Sequence, residues 1–156
     1  MTRYTGSSDF AEFFAYLNAQ TGGEQKYRPA DPADMQAQAA LVDPMHLPKA
    51  YLDFMRFAGH GAFWVGTDYS FDTVPELNKW AAELLDENRA PEHLKPDDFV
   101  FQMHQGYRFC FFSLSAGNDP PVYCFSEEYE RPEFVRLSDS FTDFVMRPFM
   151  PAPPAL

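Results

Sequence analysis

The sequence predicts an α+β domain in which helices come first, an antiparallel meander follows, and one more helix closes the chain. Two observations support this fold class. Between Phe99 and Phe125, aromatic residues recur with period two and are interrupted by Gly and Pro, which is typical of antiparallel strands. On both sides of that stretch, apolar residues recur with helical spacing. We therefore expect a single domain with a central, mostly antiparallel sheet and flanking helices.

The aromatic stretch divides into three predicted strands, Phe99–Met103, Tyr107–Leu114 and Val122–Phe125, and residues 134–137 are a fourth candidate. Gly106 falls where the first turn needs a residue without Cβ. The second strand has apolar side chains on both faces, which predicts burial on both sides. Alternation in the first strand predicts two opposite faces, one with Phe99, Phe101 and Met103 and the other with Val100, Gln102 and His104.

Helix start and stop signals define the flanking helices. The predicted starts are Asp9, the N-cap Asp31, Pro48 and the capping pattern at Ser140. Gly59 ends the helix that begins at Pro48. A further helix is predicted from Pro75 to Glu87, and its apolar face consists of Leu77, Trp80, Ala81, Leu84 and Leu85. A short strand is predicted from Ala62 to Val65.

The 156 residues fit one domain with a substantial core. We expect residues 1–29 to supply an N-terminal helix and loop of that domain, residues 30–147 to form its body, and residues 148–156 to be a Pro-rich tail. No apolar run approaches the ~18 residues that a membrane span needs, and the N-terminus lacks the apolar segment of a secretory signal. Cys110 and Cys124 fit buried free thiols in a reducing cytoplasm.

The net charge of −11 argues against nucleic acid or an anionic membrane as partner, because both attract proteins with a surplus of Lys and Arg. The acidic residues are unevenly spread. Nine carboxylates face three basic residues between Asp68 and Asp98, and seven face two between Asp119 and Asp143. These regions are either a solvated surface or a surface that binds a basic protein.

The sequence shows no pattern of catalytic or metal-binding residues, so we expect no cofactor, no metal and no enzymatic activity. The four histidines have no metal-ligand spacing with each other or with the cysteines, and phosphate-binding loops and nucleophile elbows are missing. His104 is either a hairpin histidine hydrogen-bonded to backbone or a catalytic base. Asp97 and Asp98 are either the end of a loop or a metal-binding pair.

Four motifs in order carry a resemblance to a known family. They are the segment from Leu47-Pro48 through Tyr51 and Phe54 to Gly59, the segment His104-Gln105-Gly106-Tyr107 with the aromatic strand after it, Asp119-Pro120-Pro121-Val122-Tyr123, and Ser140-Phe141 with Phe144 and Val145. Together they resemble the SUKH superfamily, the Smi/Knr-like group. Arg108 and His60 depart from the family pattern, in which Gln and Asn or Gly are more usual.

The resemblance implies a Smi/Knr-like fold over residues 30–147 and a protein without catalytic function. Bacterial members of the superfamily are immunity proteins that bind and neutralise a cognate polymorphic toxin, often a nuclease, whereas fungal relatives are regulatory scaffolds. The first expectation is therefore an immunity protein whose partner is a basic toxin domain. The alternative is a cytoplasmic interaction scaffold without a toxin partner.

We expect the partner to bind acidic loops and nearby aromatic residues rather than the fold-defining motifs. A Tyr among carboxylates on a loop, as in residues 127–130, is a reasonable anchor for a basic partner, although such a loop is also typical of a solvated surface. The candidate contact residues are Trp64, Asp68, Tyr69, His104, Gln105, Glu127, Glu128, Tyr129 and Glu130. The oligomeric state is left open.

Overall fold

Four consecutive strands form the central sheet of the protein. A computed structural model describes residues 3–20, 22, 27–62 and 74–150. In chain order these residues form α1 (Phe10–Gln20), β1 (Tyr27–Arg28), α2 (Pro32–Ala40), α3 (Lys49–Ala58), β2 (Gly61–Ala62), α4 (Val74–Glu87), β3 (Asp98–His104), β4 (Arg108–Ser113), β5 (Val122–Ser126), β6 (Val135–Ser138) and α5 (Phe141–Met146). The sheet order is β3-β4-β5-β6, all antiparallel, and β1 pairs with β2 separately. This confirms the α+β class.

Capping residues set the helix starts that the sequence predicts. The Asp31 carboxylate accepts the N–H of Asp34, and the Asp34 side chain accepts the N–H of Asp31, so a reciprocal capping box opens α2. Ser140 Oγ accepts the Asp143 N–H at 3.0 Å and starts α5. Pro48 lies just before α3 and outside it. Of the predicted strand Ala62–Val65, only Ala62 lies within the described residues.

One face of the sheet packs against α3 and α5 through aromatic rings. Phe112 stacks with Phe99 at 5.5 Å and with Phe101 at 5.3 Å between ring centroids. The ring of Tyr51, from α3, meets Phe99 and Phe112 edge to face. Phe141, from α5, meets Phe101 and Phe112 in the same way. Burial of each such ring contributes about 1.5–3 kcal/mol, which makes this cluster a principal source of stability.

A β-bulge changes the facing of β3. Phe99 pairs with Phe112 and Val100 with Phe111, but Gln102 pairs with Cys110, so one extra residue is inserted between Val100 and Gln102. Met103 pairs with Phe109 and therefore lies on the face opposite Phe99. The prediction that Met103 shares the face of Phe99 is wrong, because strict alternation fails across the bulge.

The second face of the sheet is covered by α4 and by a loop residue. Phe134 contacts Phe111 at 4.8 Å and Phe109 at 6.4 Å between ring centroids. Phe109, Cys110, Phe111 and Phe112 are all buried, in agreement with the predicted burial of β4 on both sides. Helix α4 packs against β3, where the Asn78 side chain accepts the N–H of Val100 at 3.0 Å. This contact satisfies a backbone N–H of the edge strand β3 that has no partner within the sheet.

The two ends of the described chain are packed together. Phe10 and Phe14 of α1 contact Phe54 of α3, so the N-terminal helix shares the core. The Tyr4 N–H donates to the Phe149 carbonyl at 2.7 Å. Phe149 is buried within a 3₁₀ turn, Arg147–Phe149, that continues from α5. The tail predicted from residue 148 therefore differs from the structure at its start, because Phe149 belongs to the core.

Truncation of Phe112 to alanine is expected to lower the free energy of unfolding by about 3–5 kcal/mol, because the ring is fully buried and leaves a cavity. Chemical denaturation followed by fluorescence measures the change. Val135→Ala is the matched control: Val135 is 41% exposed, so its truncation should change stability by no more than about 0.5 kcal/mol. Equal effects of the two variants would contradict the assignment of the core.

His60, which departs from the family pattern, links α2 to the end of α3. The ring Nε2 of His60 donates to the Asp34 carboxylate at 2.6 Å, and the backbone N–H of His60 donates to the Arg28 carbonyl at 2.8 Å. The hydrogen bond from His60 is the main cause that lowers the pKa of Asp34 below its ordinary value of 3.8. The folded protein therefore favours the charged carboxylate.

Asp34→Asn should destabilise the protein at neutral pH, while its side-chain oxygen can still accept the Asp31 N–H. Because the pKa of Asp34 is lowered in the folded state, its charge stabilises folding above pH 3.8, and this contribution is lost as the pH falls through the folded value. Urea denaturation of both proteins between pH 7 and pH 3 should show the difference shrinking toward low pH. A difference that is constant with pH would show that the charge of Asp34 has no role.

Candidate functional site

The sheet topology brings two groups of predicted contact residues to the same end of the molecule. Arg108 at the start of β4 pairs with Ser126 at the end of β5, so the β3–β4 turn and the β5–β6 loop are neighbours. The Glu127 N–H donates to the Tyr107 carbonyl at 3.0 Å. His104 and Gln105 therefore lie beside the segment 127–130. We use the name acidic end for the surface formed by the β3–β4 turn, the segment 127–130, and residues 80–88, which are the C-terminal part of α4 and the residue after it.

The β3–β4 turn has a tight geometry that positions Gln105. Gln105 has φ of 49° and Gly106 has φ of 76°, and the Tyr107 N–H donates to the His104 carbonyl at 3.2 Å. Positive φ at both central residues is the type I′ turn of a hairpin, and this conformation favours glycine at position 106. Gln105 is exposed at its tip. The half-buried ring of His104 lies edge-on to Tyr107, with 5.5 Å between centroids.

Asn88 joins the acidic loop to α4. Its side-chain amide donates to the Leu84 carbonyl at 2.9 Å and to Glu127 Oε1 at 3.0 Å. The first bond satisfies a carbonyl in the last turn of the helix, and the second holds Glu127 next to that turn. The carboxylates of α4 and those of the loop thus form one surface, which contains Glu83, Glu87, Glu127, Glu128 and Glu130, all exposed.

Most described carboxylates of the acidic end are uncommitted, by which we mean that they make no hydrogen bond or ion pair within the protein. Within the part of the chain that the structure describes, four of them have no hydrogen-bond or ion-pair partner: Glu83, Glu87, Glu128 and Glu130. These four side chains are exposed, and no Lys or Arg of the described ranges forms an ion pair with them. A basic ligand could pair with them without first breaking an internal ion pair.

Tyr129 differs from its acidic neighbours because its side chain points toward the core. It is half-buried and packs against the hydrophobic core, and burial raises the pKa of its hydroxyl. Cys124 lies directly across from Cys110 in the β4–β5 register, and both are buried free thiols. The hydrogen bond with Cys110 lowers the pKa of Cys124 to about 7. Tyr129 therefore anchors the loop to the sheet.

Three predicted contact residues, Trp64, Asp68 and Tyr69, lie outside the described residues, so the structure does not place them relative to the acidic end. The contact role of all the predicted residues stays a prediction. The structure shows only which of them share a surface, namely His104, Gln105, Glu127, Glu128, Tyr129 and Glu130.

Helical spacing predicts Trp80 on the apolar face of α4, but its side chain lies at the surface. Its side chain is 37% exposed, whereas Leu77, Ala81, Leu84 and Leu85 are buried. It lines a groove of about 350 Å³ at the acidic end, between α4 and the β3–β4 turn. On a helical wheel Trp80 lies at the margin of the buried stripe and on the same side as Glu83 and Glu87. This marginal position on the helical wheel is the feature of the sequence that could have indicated exposure of Trp80.

The alternatives for Asp97 and Asp98 are clarified by their hydrogen bonds. Asp97 accepts hydrogen bonds from the hydroxyls of Ser115, at 2.6 Å, and Ser113, at 3.0 Å, which lower its pKa. Asp98 accepts the Lys95 N–H at 2.8 Å. These carboxylates bind the loop before β3 to the sheet. Over the described residues, no group of three or more His, Cys, Asp or Glu side chains is placed to hold a metal ion.

The geometry defines a small α+β protein with a four-stranded antiparallel sheet and one end rich in uncommitted carboxylates. The chain belongs to the SMI1/KNR4 family (SUKH-1), whose family model matches residues 29–147. This confirms the resemblance found in the sequence, and membership is consistent with a protein-binding, immunity-type role. Comparisons with curated proteins and with solved structures gave no match. No helix in the described ranges is long and apolar enough to cross a membrane.

Asn88→Ala is expected to lower the free energy of unfolding by about 1 kcal/mol, because two hydrogen bonds at the end of α4 are lost. Amide exchange at Glu127 should also become faster, since the loop loses its link to the helix. Asp86→Ala, on the exposed side of the same helix, is the control and should change neither quantity. Unchanged exchange at Glu127 in Asn88→Ala would show that the bridge does not hold the loop.

Proposed function

We propose that the protein is a cytoplasmic, non-catalytic immunity protein that binds a cognate bacterial toxin domain and neutralises it by covering its working surface. The observation that carries this proposal is the acidic end, where α4 and the β5–β6 loop present five exposed carboxylates side by side. Family membership supports a protein partner rather than a small-molecule substrate.

The charge of the acidic end favours a basic partner, such as a nuclease domain. A nuclease needs a positive surface to hold phosphates, and an acidic protein surface can cover that region without imitating the chemistry of the substrate. Long-range attraction between the two surfaces raises the association rate, up to about 10⁸–10⁹ M⁻¹s⁻¹ at low salt. Contacts between buried side chains then set the dissociation rate.

His104, the candidate general base, makes a ring contact beside the β3–β4 turn. His104 packs edge-on against Tyr107 beside a tight turn, and its neighbours in that turn are Gln105 and Gly106. A general base acts on a nucleophile or water that lies within hydrogen-bond reach, and the contact around His104 is a ring packing contact. The hairpin role of His104 is the interpretation that this contact favours.

The direct test is protection from a toxin. The protein is co-expressed in a bacterial host with the C-terminal domain of a large secreted protein encoded beside its gene, and survival is scored. Restored growth and a purified complex of the two proteins are expected. If the neighbouring genes encode no such protein, or if its toxic domain is neither bound nor neutralised, the alternative of a regulatory scaffold takes precedence.

The double variant Glu127→Lys with Glu130→Lys should slow association with the toxin domain at least ten-fold and leave the folded structure intact, because both side chains are exposed. Stopped-flow measurements at several salt concentrations check this. Wild-type association should slow as salt rises, since the Debye length falls from about 10 Å at 0.1 M to about 3 Å at 1 M.

The matched control for that double variant is Asp43→Lys with Asp139→Lys, which makes the same change in net charge. Asp139 follows β6 and lies at the opposite end of the sheet. Asp43 precedes α3, and the start of α3 is held at that same end, because the Ala50 N–H donates to the Asn118 carbonyl. The control should slow association much less than the test variant. Equal slowing by the two variants, or association that is insensitive to salt, would show that net charge or other contacts govern binding.

A further inference from the structure

Trp80 is an exposed aromatic side chain at the edge of the acidic end. It lines the groove of about 350 Å³ together with Leu84 of the same helix and Met103 of β3. Trp80 supplies the exposed apolar surface, the almost fully buried Leu84 and Met103 lie at the floor, and Gln105 and Gly106 form the wall at the β3–β4 turn. A volume near the low end of the range for ligand sites, about 300–1,000 Å³, suits one long side chain better than a whole cofactor.

Among the described residues, the charged side chains that line this groove are both glutamates, Glu83 and Glu87. Glu83 follows Trp80 by three positions along α4, and Glu87 follows it by seven, so both project from the same side of the helix as the indole. Both carboxylates are uncommitted within the described part of the chain. An anionic ligand is therefore disfavoured in the groove, and a cation is favoured.

The β-bulge of β3 contributes to the groove. Because one extra residue lies between Val100 and Gln102, Met103 is turned to the face that α4 covers. The glycine of the type I′ turn adds no side chain above the groove. The aromatic wall, the apolar floor and the acidic rim are thus produced by three separate features of the fold.

We propose that this groove binds an arginine side chain of a basic partner protein, with the guanidinium stacked on the Trp80 indole and paired with Glu83 and Glu87. The inference deepens the proposed function and rests on it. A planar guanidinium stacks on an aromatic face and at the same time donates N–H groups to carboxylates in its plane. A lysine ammonium is more strongly hydrated and lacks the planar fork, so the groove should favour arginine.

The groove is continuous with the acidic loop, since Asn88 bridges the end of α4 and Glu127. The loop carboxylates would attract the partner, and the stacked arginine would hold it. Tryptophan and arginine are over-represented among the residues that dominate binding energy in protein interfaces. This assigns the anchoring role to Trp80, because the side chain of Tyr129 is half-buried and packs against the core.

The test uses two probes, a hexa-arginine peptide and a hexa-lysine peptide, titrated into the full-length protein by calorimetry at low salt. Wild-type protein should bind hexa-arginine more tightly than hexa-lysine. Trp80→Ala should weaken hexa-arginine binding about 2–30-fold, the range of a cation–π contact, and bring the two peptides close to equal affinity. Trp80→Phe, which keeps an aromatic face, should retain part of the preference. Circular dichroism verifies folding.

A fluorescence readout locates the bound peptide. The chain has two tryptophans, so a Trp64→Phe background leaves Trp80 as the only indole emitter. Because Trp64 is itself a candidate contact residue, the affinity of this background for hexa-arginine is compared with that of the wild type. Hexa-arginine should quench or shift its emission, and Glu83→Gln with Glu87→Gln should reduce the response. If Trp80→Ala destabilises the helix, Trp80→Phe and the Glu83/Glu87 pair still decide the outcome, because they leave α4 intact.

Failure of this inference is distinguishable from failure of the proposed function. An unchanged arginine preference in Trp80→Ala, or no binding of hexa-arginine at all, overturns the groove. If the Glu127→Lys, Glu130→Lys variant then still loses toxin association, the acidic end remains the partner surface without the groove. If Trp80 controls arginine binding but toxin protection is absent, the groove stands as a basic-peptide site and the immunity role is overturned.

Discussion

Tyr51 carries a phenol hydroxyl into the centre of the aromatic core, and the arrangement of the helices has to satisfy it. Its ring is buried among Phe99, Phe112 and Phe141. The buried side-chain amide of Gln38 donates to the hydroxyl at 2.8 Å, which ties α2 to α3. A buried hydroxyl without a partner costs about 1–3 kcal/mol, so α2 must lie where Gln38 can reach it. The sheet and α5 then close around the ring.

The central sheet packs against this core and contains a β-bulge in β3, close to the proposed binding groove. The bulge in β3 keeps Phe99 and Phe101 toward α3 and α5, and it turns Met103 toward α4. Without the extra residue, strict alternation would place Met103 in the aromatic core and remove the apolar floor beside Trp80. One local insertion therefore serves both the packing of the core and the shape of the surface groove.

Features with local sequence signals could be predicted from the sequence, whereas features that depend on tertiary packing could not. Strands β3 to β5, the turn at Gly106 and the caps Asp31 and Ser140 were predicted, because side-chain period, positive φ and capping chemistry act within a few residues. The bulge has no such signal. Trp80 lies at the margin of the α4 stripe, where periodicity leaves burial undecided and the neighbouring β3–β4 turn determines exposure.

The two ends of the sheet use their acidic residues differently. Away from the acidic end, Asp119 accepts the Thr142 N–H, Asp97 binds two serine hydroxyls, and Asp53 pairs with Lys49 and Arg56. These carboxylates hold segments of the chain together, so a partner that competed for them would have to break internal bonds. Among the described carboxylates of the acidic end, Glu127 alone is engaged, through the Asn88 amide, and this contact positions the loop without neutralising its charge. The difference lies in how the charges are committed rather than in how many there are. This is why a basic partner is expected at the end that carries Trp80.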